Sequence, residues 1–247
     1  METSLRYRNF AEIEARGNST IYEQWCTDIA DDPEVIALIE RLPEPRRQPN
    51  LVLGASRHLG APAGSYASFR DWLIAHWQGV EELALTRTTQ TNEPGRAAAL
   101  LPVLGLLPGP LSLIEVGASA GLCLYPDRYS YLYDGHRSVH PTGGPSPVLL
   151  HCMTTGEPPI PDGVPTVAYR AGIDLNPLDV SDPADMRWLD SLVWPEQDQR
   201  RQRLLAAAEI ARTDPPHLVR GDLNSAIAGL VRQAPRRRRS WCSTARS

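Results

Sequence analysis

With 247 residues, 42% of them hydrophobic, the chain can bury a sizeable core in one large domain or two small ones. Its formal net charge is −4, so no global basic field points to nucleic acid or to an anionic membrane. All 25 basic residues are arginine, which excludes a lysine nucleophile or Schiff base.

The opening "METSLRYRNF" is charged and lacks the apolar core of a signal peptide. Cys26, Cys123, Cys152 and Cys242 form no C-x-x-C pair and read as reduced thiols of a cytoplasmic protein. Ser19 opens a predicted helix, "STIYEQWCTDIA", with Ile21, Trp25 and Ile29 four apart on one face. Asp32 caps the next helix, whose first turn holds Pro33 and whose stripe is Val35, Ile36, Leu38, Ile39 and Leu42. After the loop "PEPRRQPN", Ser68 is expected to open the longest helix, with Phe69, Trp72, Leu73, Trp77, Val80 and Leu83 on one side. A further helix is expected over 95–107, bent or ended near Pro102. Residues 97–114 carry no charge, but Pro102, Pro108 and Pro110 interrupt them. A helix followed by a buried strand explains that run better than a membrane span.

At Leu111 the pattern changes. Residues 111–116 predict a strand and 119–128 a helix; 134–165, rich in Gly and Pro, read as an insertion with room for a short strand at Val148–His151. A second core strand is expected over 166–175. Asp182 and Pro183 start a helix over 183–193 that Trp194-Pro195 stops, and 196–212 form another. A third strand, 217–222, precedes a helix over 223–232. Strands alternating with helices predict an α/β protein. The expected layout is a helical N-terminal subdomain (1–110), then a Rossmann-like, methyltransferase-type parallel sheet (111–234), then a basic tail (235–247).

The stretch "LSLIEVGASAGLCL" (111–124) fits two templates. As G-x-S-x-G it is a nucleophile elbow with Ser119 as the attacking group. That reading lacks a base: His217 begins its predicted strand and so lies at the opposite sheet edge, while nothing in the sequence places His136 or His140. As E-x-G-x-x-x-G it is a cofactor loop. Gly117 and Gly121 permit a sharp turn, Asp174 in "GIDLNP" ends the second core strand where a carboxylate can accept from ribose hydroxyls, and Asp222 ends the third. Glu115 approaches from the first strand, and Ser119 in place of a middle glycine disfavours the tight pyrophosphate approach of dinucleotide sites. The plainer alternative is a tight strand-to-helix turn, with Asp174 and Asp222 acting only as caps.

"TQTNEPGR" offers Asn92, Glu93 and Arg96 either as a helix start or as a polar wall over a ligand pocket. His136, His140, His151 and Cys152 complete no metal-ligand spacing, so no metal is expected. Asp127 and Arg128 are expected to pair locally.

The stretches "QTNEPGRAAALLP", "LIEVGASAGL", "DRYSY", "GIDLNPLDV", "WLDSLVWPEQ" and "LVRGD" together resemble a bacterial family, domain-of-unknown-function family 2332. Its core is similar to S-adenosylmethionine-dependent methyltransferases, although its reaction is not established. The resemblance implies S-adenosylmethionine as cofactor, lined by Glu115, Gly117, Ser119, Gly121, Asp174, Asn176 and Asp222, with catalytic residues and methyl acceptor unassigned. Cys123 departs from the family pattern, which usually has Asn there. A non-enzymatic nucleotide or metabolite-binding module and a serine hydrolase using Ser119 are the other readings. A sheet of this type needs a fourth strand beside the first, yet the chain continues as "QAPRRRRSWCSTARS". The expectation is that this tail is truncated or read out of frame, which would leave the cofactor fold incomplete and inactive.

Overall fold

The computed structural model describes residues 2–90 and 92–235. They form two compact units: Met1–Asn92 with Leu178–Arg212, and Glu93–Pro177 with Thr213–Ser247. The first unit therefore gathers helices from both sides of the second, and the division falls at Asn92 where the sequence reading placed it after residue 110.

The first unit begins with α1 (Thr3–Asn9), a π-helical stretch (Phe10–Ala15), α2 (Thr20–Ala30) and α3 (Pro33–Ile39). Ser19 caps α2 by accepting the Tyr22 N–H at 3.1 Å, and one Asp32 oxygen accepts from Glu34 and Val35 at the start of α3. Then come α4 (Pro49–His58) and α5 (Tyr66–Thr86). The cap of α5 is Ser65, not Ser68: the Ser65 hydroxyl accepts the Ser68 N–H, so the helix starts earlier than the apolar stripe suggested. Trp25 stacks on Phe69 with ring centroids 4.0 Å apart, a buried aromatic contact between α2 and α5.

The second unit opens with α6 (Arg96–Gly105) and the strand β1 (Leu111–Val116). Residues 119–128 do not form the expected helix. Gly121 is left-handed (φ +71°) and starts only a three-residue 3₁₀ turn, Leu122–Leu124, before Pro126. The chain then builds a second small sheet from β2 (Ser130–Tyr133), β3 (Arg137–Val139) and β4 (Leu149–Cys152), in the order β3-β2-β4. The Gly/Pro-rich insertion is thus part of a sheet, anchored by the buried tyrosines 129, 131 and 133, whose hydroxyls donate to Leu122, Pro126 and Ala98 carbonyls.

The strand β5 (Val167–Asp174) pairs in parallel with β1, Val116 beside Ile173. The chain next returns to the first unit as α7 (Pro183–Ser191) and α8 (Asp198–Thr213). There α4 approaches closely: a Cβ on Gly54 would lie 2.8 Å from Leu192 Cδ2. Back in the second unit, β6 (His217–Arg220) completes a three-stranded parallel sheet, β1-β5-β6, and α9 (Leu223–Gln233) packs on one face. That face buries Ala171, Ile173 and Leu230, with Ile114, Tyr169, Val219, Ala226 and Ile227 against them. The molecule is a mixed α/β protein. Among the described residues β1 pairs only with β5; the tail expectation concerns residues 236–247, which lie outside them. No described helix is long and apolar enough to cross a membrane.

Candidate functional site

Because β1, β5 and β6 run parallel, Val116, Asp174 and Arg220 end at one edge of the sheet, and His217, which opens β6, sits at the other. At the shared edge the 117–121 loop leaves β1 and crosses the end of β5. Gly117 and Ala118 donate to the Ile173 carbonyl at 2.8 and 3.2 Å. Gly117, Ser119 and Gly121 all have positive φ (68°, 51° and 71°). This crossing requires Gly172: a Cβ there would lie 2.4 Å from the Ala118 methyl and 2.8 Å from Leu218 Cδ2. The sequence reading did not single out Gly172, although it sits within "RAGIDL".

The carboxylate of Asp174 is gripped by backbone. One oxygen accepts from Ser119 N–H and the other from Asn176 N–H, each at 2.8 Å. Asn176 accepts from Arg220 at 2.9 Å and so ties the β5 end to the β6 end. Asp222 caps α9, its side chain accepting from Asn224 at 2.9 Å, which is the plainer of its two roles.

Glu115 pairs in register with Gly172, and residues alternate along a strand, so Glu115 and Asp174 share the sheet face opposite α9. One Glu115 carboxylate oxygen is buried without a hydrogen-bond partner among the described residues. Burial pushes its pKa up to about 7, opposed by the Cys123 thiol and the Arg96 charge and reinforced by Asp174. Burial likewise lifts the Cys123 thiol to about 12, with the Glu115 carboxylate adding to the effect. Both effects favour the protonated thiol, which acts here as a donor. Its sulfur lies 3.4 Å from the Glu93 carbonyl, which also accepts the Arg96 N–H at 3.2 Å.

The predicted residues Glu115, Gly117, Ser119, Gly121, Asp174 and Asn176 thus gather at one sheet edge, with Glu93 and Arg96 linked to them through Cys123. Glu93 also serves the helix start, since its side chain accepts the Gly95 N–H at 2.9 Å. Asn92 is 8% exposed and belongs to the other compact unit. Ser119 is 2% exposed, and its hydroxyl finds no hydrogen-bond partner among the described residues. No cluster of three or more potential metal ligands occurs among the described residues.

Below the loop lies a buried ion pair. Arg170 on β5 forms a two-pronged bridge to Asp127 at 2.8 and 2.7 Å, donates to the Leu124 carbonyl at 2.7 Å and stacks over Tyr125. Asp127 is held chiefly by Arg170; Arg128 is farther off, at 3.6 Å. The signal was an arginine in the middle of the apolar run "VAYRAGID".

The glycine loop and the two carboxylates thus lie at the carboxyl edge of a three-stranded parallel sheet in a mixed α/β protein, the edge at which open sheets of this kind commonly bind ligands. A family model described as "Uncharacterized protein conserved in bacteria (DUF2332)" matches residues 4–242, and the chain belongs to that family. No curated protein and no solved structure matches it.

Proposed function

We propose that the second unit is a Rossmann-like module that binds S-adenosylmethionine or a close adenosyl relative at the carboxyl ends of β1, β5 and β6. The observation that carries this reading is the Asp174 carboxylate. It is fixed by two backbone amides beside a loop with three positive-φ residues, at the strand end where a ribose diol is held. The residues fit the group. Asp174 accepts from the ribose hydroxyls, the left-handed loop lets the backbone approach the sugar, and the orphaned Glu115 oxygen faces the cationic end. A 3₁₀ turn replaces the helix after the loop, so the site lacks the helix N-terminus that a pyrophosphate uses, which favours this cofactor over a dinucleotide. Bound there, S-adenosylmethionine supplies an electrophilic methyl group, and the chain's part is to orient an acceptor and exclude water. The methyltransferase class of the protein rests on this reading; a binding module without turnover uses the same contacts.

Isothermal titration with S-adenosylmethionine and S-adenosylhomocysteine tests it. Saturable binding to the wild type and loss of at least tenfold in affinity in Asp174→Ala are expected, since a charge-assisted hydrogen bond carries that much. No heat with either ligand defeats the reading. Methyl transfer to an acceptor separates enzyme from module. Labelling of Ser119 by a fluorophosphonate would instead support a hydrolase.

A further inference from the structure

Among the described residues β1 is hydrogen-bonded along one side, to β5. Leu111 and Gly117 donate their N–H groups to the Thr166 and Ile173 carbonyls on that side. Hydrogen-bonding direction alternates along a strand. Leu113 and Glu115 therefore point the same way, and the N–H and C=O groups of Ser112, Ile114 and Val116 point outward. The edge is open there: Ser112 is exposed and Val116 is 53% exposed. We propose that this edge is the interface of a symmetric homodimer, in which β1 of a second copy pairs antiparallel with β1 and joins the two sheets into one of six strands.

A second copy fits because the edge complements itself under a two-fold axis. With the axis at Ile114, that residue faces its own counterpart, and Ser112 faces Val116 in both directions. Each of these pairs exchanges two hydrogen bonds, so every outward backbone group finds a partner. Charge and backbone chemistry select this register. Centred on Glu115, two carboxylates would stand face to face; centred on Leu113, Val116 would meet Pro110, which has no N–H. Centred on Ile114, Glu115 faces Leu113. Edge strands that stay single carry charges or proline at outward positions. Here no residue from 97 to 114 is charged, so nothing else along the edge repels its copy. The helix α9 supports the same arrangement. It lies over β5 and β1, with Ile227 and Leu230 in the cluster that holds Ile114 and Ile173. Its Ala226 faces β6, since a Cβ on Gly221 would lie 3.7 Å from the Ala226 methyl. Helical spacing turns Asn224, Ala228 and Val231 to the other flank, toward the β1 edge, and all three are exposed and uncharged. With strands about 4.8 Å apart, the two α9 helices lie roughly 10 Å apart across the axis, an ordinary helix-packing distance. That contact covers Val231, which is 56% exposed in the single chain. The two carboxyl edges point in opposite directions, so neither glycine loop stacks on the other.

Sedimentation velocity of the full chain at about 1–100 μM should find a species of twice the chain mass. Ser112→Pro removes an outward N–H without touching a bond to β5. It should weaken association at least about thirtyfold, because two hydrogen bonds are lost across the axis. Ser112→Ala, which keeps the N–H, should leave association intact. Val116→Lys places a charge at an exposed edge position and should weaken association about tenfold or more. Circular dichroism verifies each fold, and Val116→Lys carries the test should Ser112→Pro fail to fold. Disulfides read the register. Ser112→Cys combined with Val116→Cys should crosslink the dimer on oxidation, the facing Cα atoms being about 5.5 Å apart. Val116→Cys alone should not, because its two copies lie roughly 13 Å apart along the strands. A monomer throughout the concentration range overturns the proposal. Protection of the Ser112, Ile114 and Val116 amides from hydrogen exchange in that monomer would assign the edge to residues 236–247 of the same chain instead. A dimer that Ser112→Pro and Val116→Lys both leave intact overturns it as well, and a dimer that crosslinks through Val116→Cys alone overturns the register.

Discussion

Gly172→Ala adds one methyl group where the sheet and the loop touch. The new Cβ meets the Ala118 methyl at 2.4 Å and Leu218 Cδ2 at 2.8 Å, against an optimal carbon separation of roughly 3.5–4.0 Å. Leu218 can rotate, but Ala118 has no rotamer to change. Its methyl moves only with its backbone, whose N–H, like that of Gly117 before it, donates to the Ile173 carbonyl. Burying the methyl gains about 0.8 kcal/mol and replacing a strand glycine gains about 0.5–1 kcal/mol. Against this stands a displacement of more than about 1 Å that breaks loop hydrogen bonds and overpacks two neighbours; overpacking alone costs about 1–3 kcal/mol, and each lost bond about 1 more. The expected balance is a destabilisation of about 2 kcal/mol, or a fall in Tm of about 4–8 °C for a chain of this size. Urea denaturation measures it, with Ala118→Gly and the double variant closing the cycle. The double variant should recover at least about 1 kcal/mol relative to the sum of the single changes. A Gly172→Ala protein as stable as the wild type, or strictly additive effects, would refute the close-approach argument.

Arg170→Met strands the Asp127 carboxylate in a largely buried position and should lower stability by about 3–5 kcal/mol in urea titration, while Arg170→Met with Asp127→Leu should regain much of it. Glu115 holds its proton up to about pH 7 when folded, against an ordinary value of 4.5. Between those limits the folded state binds more protons, so wild-type stability should fall as pH rises, by about 3 kcal/mol in all. In Glu115→Gln that fall should vanish, and equal pH slopes in the two proteins would count against a buried, unpaired carboxylate. Asp222→Ala should cost about 1 kcal/mol through loss of the α9 cap, and Asp222→Asn much less, both read from denaturation midpoints.

The parallel sheet was legible because its strands are apolar runs with sharp limits: the expected 111–116 is β1, and 166–175 and 217–222 overlap β5 and β6 within two residues. Asp32 with Pro33, and Asp182 with Pro183, mark helix starts that local chemistry alone decides. What escaped depends on contacts distant in sequence. "SAGLCLYPDR" has helical composition, but Arg170 and the Tyr129 hydroxyl hold its carbonyls in another shape. The strands β2 and β3 are four and three residues long and are recognisable only once they pair. At the site, Glu115, Asp174 and the glycines were visible as types at strand ends. The roles of Gly172 and Cys123 follow from a register and a loop path that no short stretch of sequence encodes.

Each unit is interrupted by the other along the chain, and this sets a timetable. The helices α1–α5 emerge during synthesis well before α7 and α8, which begin after Leu178, about 85 residues beyond Asn92. At about 5–20 residues per second, the first helical layer waits roughly 4–17 s for the segments that finish it. In that interval β1 must also find β5 across fifty intervening residues. The nascent protein thus passes through a stage with two unfinished cores at once, when chaperone demand and vulnerability to proteases are greatest.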